Sequence, residues 1–251
     1  MAHVGRSGRR GSLTYYREDL ALIHHLGFGF HADACAPGIL ALLEPVRGGI
    51  ILELGCGSGL LTRYLVEAGH RVVATDASQA MLALTRQTAP GAQVRQLVLP
   101  DDSLPECDAV VSIGHVLSYL ADESAVERAL ATTADAIRPG GVLALDLCDL
   151  RYGELRRDEA NSSRIDDDWA IVTQFSLPRP NLFVREIAAF LRNEDGTWRR
   201  DDERHENVLV DTSAVPALLA EHGVQARVSK SFGDEELPDG LVAIVGRKAD
   251  G

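Results

Sequence analysis

From residue 50 onward, short apolar runs alternate with stretches whose apolar positions recur every three to four residues. Ile50–Leu54, Val72–Thr75, Val94–Leu99, Ala109–Ile113 and Val142–Leu147 are runs of strand length, while Leu60–Ala68, Ser78–Thr88 and Glu123–Ile137 carry helical spacing. Such alternation predicts βαβ units and a parallel sheet. Upstream, Tyr15–Leu43 reads as helical, with Leu20, Ile23 and Leu26, then Ile39, Leu40, Leu42 and Leu43. Gly27-Phe28-Gly29 interrupts it, giving two helices or a helix and a loop.

After Asp149 the character changes. Arg151–Asp168 is charged and patternless. Trp169–Ser176, Leu182–Leu191 and Trp198–Val210 then combine aromatic and β-branched residues, with turn chemistry at Pro178-Arg-Pro-Asn and Asn193-Glu-Asp-Gly, and predict an antiparallel meander. Helix returns at Ser213–His222, with Ser213 as N-cap and Gly223 as stop, followed by strands Ala226–Phe232 and Leu241–Gly246. The meander is therefore an insertion into one α/β domain. The expected organisation is a tail and helical cover over 1–45, a core over 46–149, an inserted sheet over 150–212, and a helix and strands over 213–251 that complete the core.

Composition narrows the function classes. A chain of 251 residues accommodates one α/β domain with an insertion, and 45% hydrophobic with 25% charged residues is ordinary for a globular protein. The apolar runs fall short of a membrane span, and the first dozen residues, with Arg6, Arg9 and Arg10, lack the apolar segment of a secretory signal and read as a tail. A cytoplasmic location, no membrane partner, and a monomer or homodimer are the expectations. The formal net charge of −12 argues against nucleic acid, whose affinity depends on neutralising phosphates. Cys35, Cys56, Cys107 and Cys148 show neither metal-ligand spacing nor a disulfide framework, so reduced thiols and no metal are expected.

The stretch Ile51-Leu-Glu-Leu-Gly-Cys-Gly-Ser-Gly59 carries the first chemistry. A dinucleotide fingerprint needs a third glycine where Leu60 stands, and no Gly-Lys-Ser/Thr follows for a phosphate loop. A carboxylate at Glu53, two residues before the first glycine, is a poor neighbour for a diphosphate and a good one for a cation. The next strand ends in Asp76, an acid suited to the two hydroxyls of a ribose.

With Glu53-Leu-Gly-Cys-Gly-Ser-Gly59, Val73-Ala-Thr-Asp-Ala-Ser-Gln-Ala-Met-Leu82, Cys107-Asp-Ala-Val-Val-Ser-Ile-Gly-His115 and Arg138-Pro-Gly-Gly-Val-Leu143, the chain resembles the class I S-adenosylmethionine-dependent methyltransferases. The resemblance covers roughly Ile50–Leu147, and more loosely the last helix and strands. It implies a Rossmann-like, mostly parallel seven-stranded sheet with helices on both faces and an antiparallel last strand. The small antiparallel insertion would be a lid, as in small-molecule methyltransferases acting on amino sugars and glycine. It also implies S-adenosylmethionine as cofactor and S-adenosylhomocysteine as product. Glu53, Gly55, Cys56, Gly57 and Gly59 would hold the methionine moiety, Asp76 and Ala77 the ribose, and Met81, Ile113 and Gly114 the rest of the nucleoside. An acid after the third strand would meet the adenine amino group; Leu99-Pro-Asp-Asp102 leaves Asp101 and Asp102 as rivals.

The expected reaction is in-line transfer of a methyl group to an oxygen or nitrogen of a small metabolite, with or without a histidine base. His115, just beyond the fourth strand, and His24, in the N-terminal cover, are the candidate bases; His31 is a third. His24 and His25 point to different faces of one helix, so at most one faces the methyl. Tyr15 and Tyr16 are candidates to close over the cofactor. His205 is expected on the opposite face of its strand from Arg204 and Glu206, at an exposed edge. The alternatives are a protein or peptide methyltransferase, a protein that binds the cofactor without turnover, and a nicotinamide enzyme.

Overall fold

The computed structural model describes residues 15–156 and 161–250; the N-terminal stretch read as a tail lies outside them. In chain order the elements are α1 (Glu18–Gly27), α2 (Phe30–Leu43), β1 (Ile50–Leu54), α3 (Leu60–Glu67), β2 (Arg71–Asp76), α4 (Gln79–Thr88), β3 (Gln93–Gln96), β4 (Cys107–Ser112), α5 (Glu123–Ala136), β5 (Ile137–Cys148), α6 (Leu150–Leu155), β6 (Asn161–Ile165), β7 (Trp169–Arg179), β8 (Leu182–Arg192), β9 (Trp198–Val208), α7 (Val215–Glu221), β10 (Val224–Ser229) and β11 (Leu241–Lys248). The expected seven-stranded sheet forms, in the order β10-β11-β5-β4-β1-β2-β3.

Strand β1 pairs in parallel with β2 and β4, and β11 runs antiparallel to both of its neighbours. Because consecutive side chains alternate across a strand, Ile51 joins one buried layer with Leu43, Leu65 and Val111, and Leu52 and Leu54 join the other with Val110, Leu130 and Leu219. Burial on both faces explains why these strands read as unbroken apolar runs. The order places β1 between β2 and β4, where the chain's winding reverses. In an open α/β sheet the crevice beyond the strand ends at that point receives ligands.

The insertion between β5 and α7 is a separate antiparallel sheet in the order β6-β7-β8-β9. One of its faces, through Trp169, Ile171, Ile187, Ala189 and Leu191, packs on Leu20 and Ile23 of α1. Helix α1 is thereby clamped by the inserted sheet, and the helical break expected at Gly27–Gly29 lies between α1 and α2. No single helix among the described residues is long and apolar enough to cross a membrane; α1 and the following helical stretch pass only as a pair bent by 66°.

Several local expectations need correction. Arg151–Asp168 is not structureless: it holds most of α6 and all of β6, an edge strand exposed at every position and so without alternation. Asp166-Asp-Asp168 is exposed, as expected of a solvated run. Leu26 is 58% exposed and does not join the core. Strand β3 stops at Gln96, where Leu97 and the turn through Asp102 begin. Ser213 is not the N-cap of α7; Asp211 accepts from its N–H at 3.0 Å and caps a 3-10 turn that leads into the helix.

Candidate active site

The turn after β1 is built by hydrogen bonds to β2. Cys56 N–H donates to Thr75 O at 2.8 Å, and Gly57 N–H donates to Asp76 Oδ2 at 2.9 Å. Two of its glycines are obligatory. Gly55 has φ +65°, and a Cβ there would lie 2.3 Å from the Val116 side chain; Gly59 has φ +84°, and its Cβ would lie 2.9 Å from Thr85 Cα. Around Gly57, at φ +54°, a Cβ would meet nothing within 4 Å, so this glycine faces open space at the mouth of the crevice.

Glu53 is 2% exposed, and its Oε2 accepts from Thr62 Oγ1 at 2.6 Å. Burial pushes its carboxyl up to about 8, with the Asp76 charge adding in the same sense. Asp76 accepts from Ser78 N–H at 2.8 Å as well as from Gly57, yet burial still raises its pKa. Neither acid has an ion-pair partner among the described residues. A buried and a half-buried carboxyl without a cation, beside a turn that leaves room over Gly57, fit a cationic nucleoside and oppose a diphosphate.

The other residues expected to serve the nucleoside are near these two. Cys56 is buried with Sγ 3.5 Å from Thr85 Oγ1; Ala77 is exposed; and Met81 is 2% exposed, its N–H donating to the N-cap Ser78 Oγ. Of the two rival acids, Asp102 accepts from Val98 N–H at 2.7 Å and closes the turn, whereas the exposed Asp101 carboxylate has no hydrogen bond among the described residues.

Beyond β4 and β5 a second cluster forms. Asp146, 1% exposed, accepts from Gly114 N–H at 2.9 Å and from His115 N–H at 2.6 Å, and lies 3.3 Å from His31 Nε2. These bonds hold Ile113-Gly114-His115 in a turn with φ +85° at Gly114 and +50° at His115. Burial alone would hold His31 neutral, but the hydrogen bond and charge of Asp146 prevail and raise it to about 10. His31 is a cation at neutral pH and is thereby removed as a base.

His115 stacks on Tyr119 at 5.5 Å, and Tyr119 Oη lies 3.0 Å from Tyr16 Oη. Tyr16 packs edge-on against His24 at 5.1 Å, and Tyr15 lies 5.0 Å from Tyr119 and 4.8 Å from His205. The tertiary structure brings Tyr15, Tyr16, His24 and His115 to one place. Burial pushes His24 down to about 4 and His115 well below the usual histidine range, and each has a buried Nδ1 without a partner. Both are neutral imidazoles at physiological pH.

His205 is the main correction. Its strand face is as expected, opposite Arg204 and Glu206, but its position is not an exposed edge: it is fully buried, because Tyr15, Tyr16 and Tyr119 cover that face of β9. Its Nε2 lies 2.8 Å from Glu203 Oε2, and its Nδ1 lies 3.4 Å from Tyr119 Oη. Glu203 also accepts from the backbone N–H groups of Tyr16 and Arg17, both at 2.7 Å.

Sequence reading missed Tyr119, Tyr152, Arg185 and Glu203. Alternation along β9 offered a signal for Glu203, which shares a face with His205. Tyr119, Tyr152 and Arg185 had none, since each lies on a different element. Among the described residues no cluster of potential metal ligands forms, and the four cysteines are free and buried.

Residues 51–141 match a family model described as a methyltransferase domain. A protein of Geobacillus sp. (strain WCH70), named with the methyltransferases, is 26% identical over 192 residues, 74% of this chain and 78% of that protein. Streptomyces venezuelae DesVI superposes with a TM-score of 0.77 at 22% identity, covering 93% of this chain and all of that one. The sugar N-methyltransferase KedS8 from Streptoalloteichus sp. ATCC 53650 superposes with a TM-score of 0.73 at 20% identity, over 100% of both chains. Likeness at these identities establishes the fold.

Proposed function

We infer that the chain, whose residues 51–141 match a methyltransferase-domain model and whose fold is shared with S-adenosylmethionine-dependent methyltransferases, transfers a methyl group from S-adenosylmethionine to an oxygen or nitrogen of a small metabolite. One observation carries this reading: Glu53, buried, and Asp76, half-buried, have no cationic partner among the described residues, and Asp76 is joined through Ser78 and Tyr16 to a cluster of neutral imidazoles and tyrosines. The cofactor supplies an already activated methyl group on a cationic sulfur, so the protein's task is largely to orient an acceptor lone pair in line with it.

Glu53 and the turn at Gly55, Gly57 and Gly59 hold the methionine moiety, Asp76 the ribose, and Asp101 the adenine amino group. Met81, Ala77, Cys56, Ile113 and Gly114 complete the nucleoside's surroundings. The acceptor lies beyond β4 and β5, under the inserted sheet, and the roof formed by that sheet and α1 favours a small molecule over a folded protein. The neutral His24 and His115 accept a hydrogen bond from the acceptor's O–H or N–H. His205 is oriented by Glu203, which fixes the proton on Nε2 and leaves Nδ1 to accept from Tyr119, so it positions the Tyr119 hydroxyl and does not itself touch the acceptor.

Incubating the protein with methyl-labelled S-adenosylmethionine and fractionated metabolite pools, then identifying labelled products by mass spectrometry, tests the reading. Label is expected in a small molecule. For His24→Ala and His115→Ala, turnover should fall while cofactor affinity survives. Saturation by NADH with no heat from S-adenosylmethionine would refute the reading, and equal loss of both properties in a histidine variant would move that residue out of the acceptor chamber.

A further inference from the structure

Arg185, on β8, enters the chamber from the roof. Its guanidinium donates to Tyr119 Oη and lies 5.6 Å from the centre of the Tyr119 ring. The carboxylates nearby are engaged elsewhere: Asp146 with His31 and two backbone N–H groups, Glu203 with His205 and two more. Glu186 and Glu206 pair with Arg204 on the other face of the inserted sheet. Among the described residues Arg185 forms no ion pair, and its Nε–H is buried without a partner. Burial opposes its charge, and the titratable groups that act on it most are the neutral Tyr119, Tyr16, Tyr152 and Cys148, with no carboxylate among them.

A half-buried guanidinium whose Nε–H is buried and unfilled is costly unless an anion completes it. In several other places the chain places an acid beside its arginines, as at Arg17 with Asp201 and Arg199 with Asp19. The anion belongs on the acceptor side, because Tyr119, Cys148 and Tyr152 around Arg185 lie beyond Gly114 or at the end of β5, whereas the two acids proposed for the methionine and ribose, Glu53 and Asp76, lie at the ends of β1 and β2. Tyr152 and Phe183, whose rings meet edge to face at 5.4 Å, extend the aromatic wall on that side.

We propose that the methyl acceptor carries a carboxylate, and that Arg185 is the specificity-determining residue that binds it. The fork of guanidinium donors matches the two oxygens of a carboxylate, and the aromatic surroundings suit an acid with a flat apolar body. This inference rests on the methyl-transfer reading: it names the acceptor class for the same site.

Benzoate is the probe, with benzamide as its neutral isostere, titrated calorimetrically into the full chain saturated with S-adenosylhomocysteine. Benzoate is expected to bind more tightly than benzamide by about tenfold or more, the usual scale of a hydrogen bond to a charged group. Arg185→Gln should abolish that preference while leaving S-adenosylhomocysteine affinity unchanged. Arg185→Lys, which keeps the charge and loses the fork, should retain part of it and serves where the glutamine variant does not fold. Equal affinity of the wild-type protein for the two probes, or an undiminished preference in either folded variant, overturns the inference while methyl transfer stands. Absence of any heat with S-adenosylhomocysteine overturns both.

Discussion

Glu53 concentrates the electrostatics of the nucleoside half. In the folded chain its carboxyl titrates near 8, against about 4.5 when exposed. Between these values the folded state holds a proton that the unfolded state has lost, so the residue's contribution to stability falls as pH rises through that window. A cationic ligand favours the ionised form and must displace the proton. Affinity for S-adenosylmethionine is therefore expected to rise with pH, by at most about tenfold per unit, and to level off above 8. In Glu53→Gln this dependence should vanish. Calorimetry in two buffers of different ionisation enthalpy reads the released proton directly; a wild-type profile as flat as the variant's would mean that Glu53 serves only Thr62.

At the scale of elements, the site depends on how α1 and its preceding residues are held. Ser78, the N-cap of α4, donates from Oγ to Tyr16 O at 2.7 Å, and Glu203 of β9 accepts from the backbone N–H groups of Tyr16 and Arg17. The segment Tyr15–Arg17 is thus strapped between core and insertion, with Tyr16 at φ +56°. Glu203→Ala leaves those two donors and His205 without an acceptor. Hydrogen bonds to a charged group contribute about 1.5–3 kcal/mol each, and their loss is not additive, so a destabilisation of about 2–4 kcal/mol is expected in urea unfolding. Turnover should fall further than stability alone explains, since His205 loses its orienting carboxylate. A variant with wild-type unfolding and turnover would show that the strap holds without Glu203.

For the whole molecule, the proposed cofactor site links binding to global stability, because the residues proposed to hold the cofactor come from β1, β2, β4 and the turns around them. A ligand at a hundred times its Kd adds about 2.7 kcal/mol, which for a chain of this size is a rise in Tm of about 5–10 °C. S-adenosylmethionine and S-adenosylhomocysteine should both produce such a shift in a thermal melt, and Asp76→Ala should reduce it by removing the ribose anchor. No shift with either compound would contradict the proposed nucleoside site.

Sequence alone determined the βαβ order, the glycine turn and the acids at Glu53 and Asp76, because these are local: a strand's period, a turn's need for positive φ, and a carboxylate at a fixed distance along the backbone. It also located the insertion, through a change in apolar period after Asp149. It did not reveal β6, whose edge position leaves no alternation to read, or the burial of His205, which depends on aromatic residues far away in the chain covering one face of β9. Nor did it show which histidines are charged. His24 and His31 lie seven positions apart in one segment, yet one is neutral and the other cationic, because only His31 meets Asp146. The acceptor chamber gathers side chains from six elements or turns, and Arg185 gains its meaning there only from the absence of a neighbouring acid. Proximity between distant segments and the desolvation that accompanies it are properties of the packed chain, and tertiary structure alone decided them.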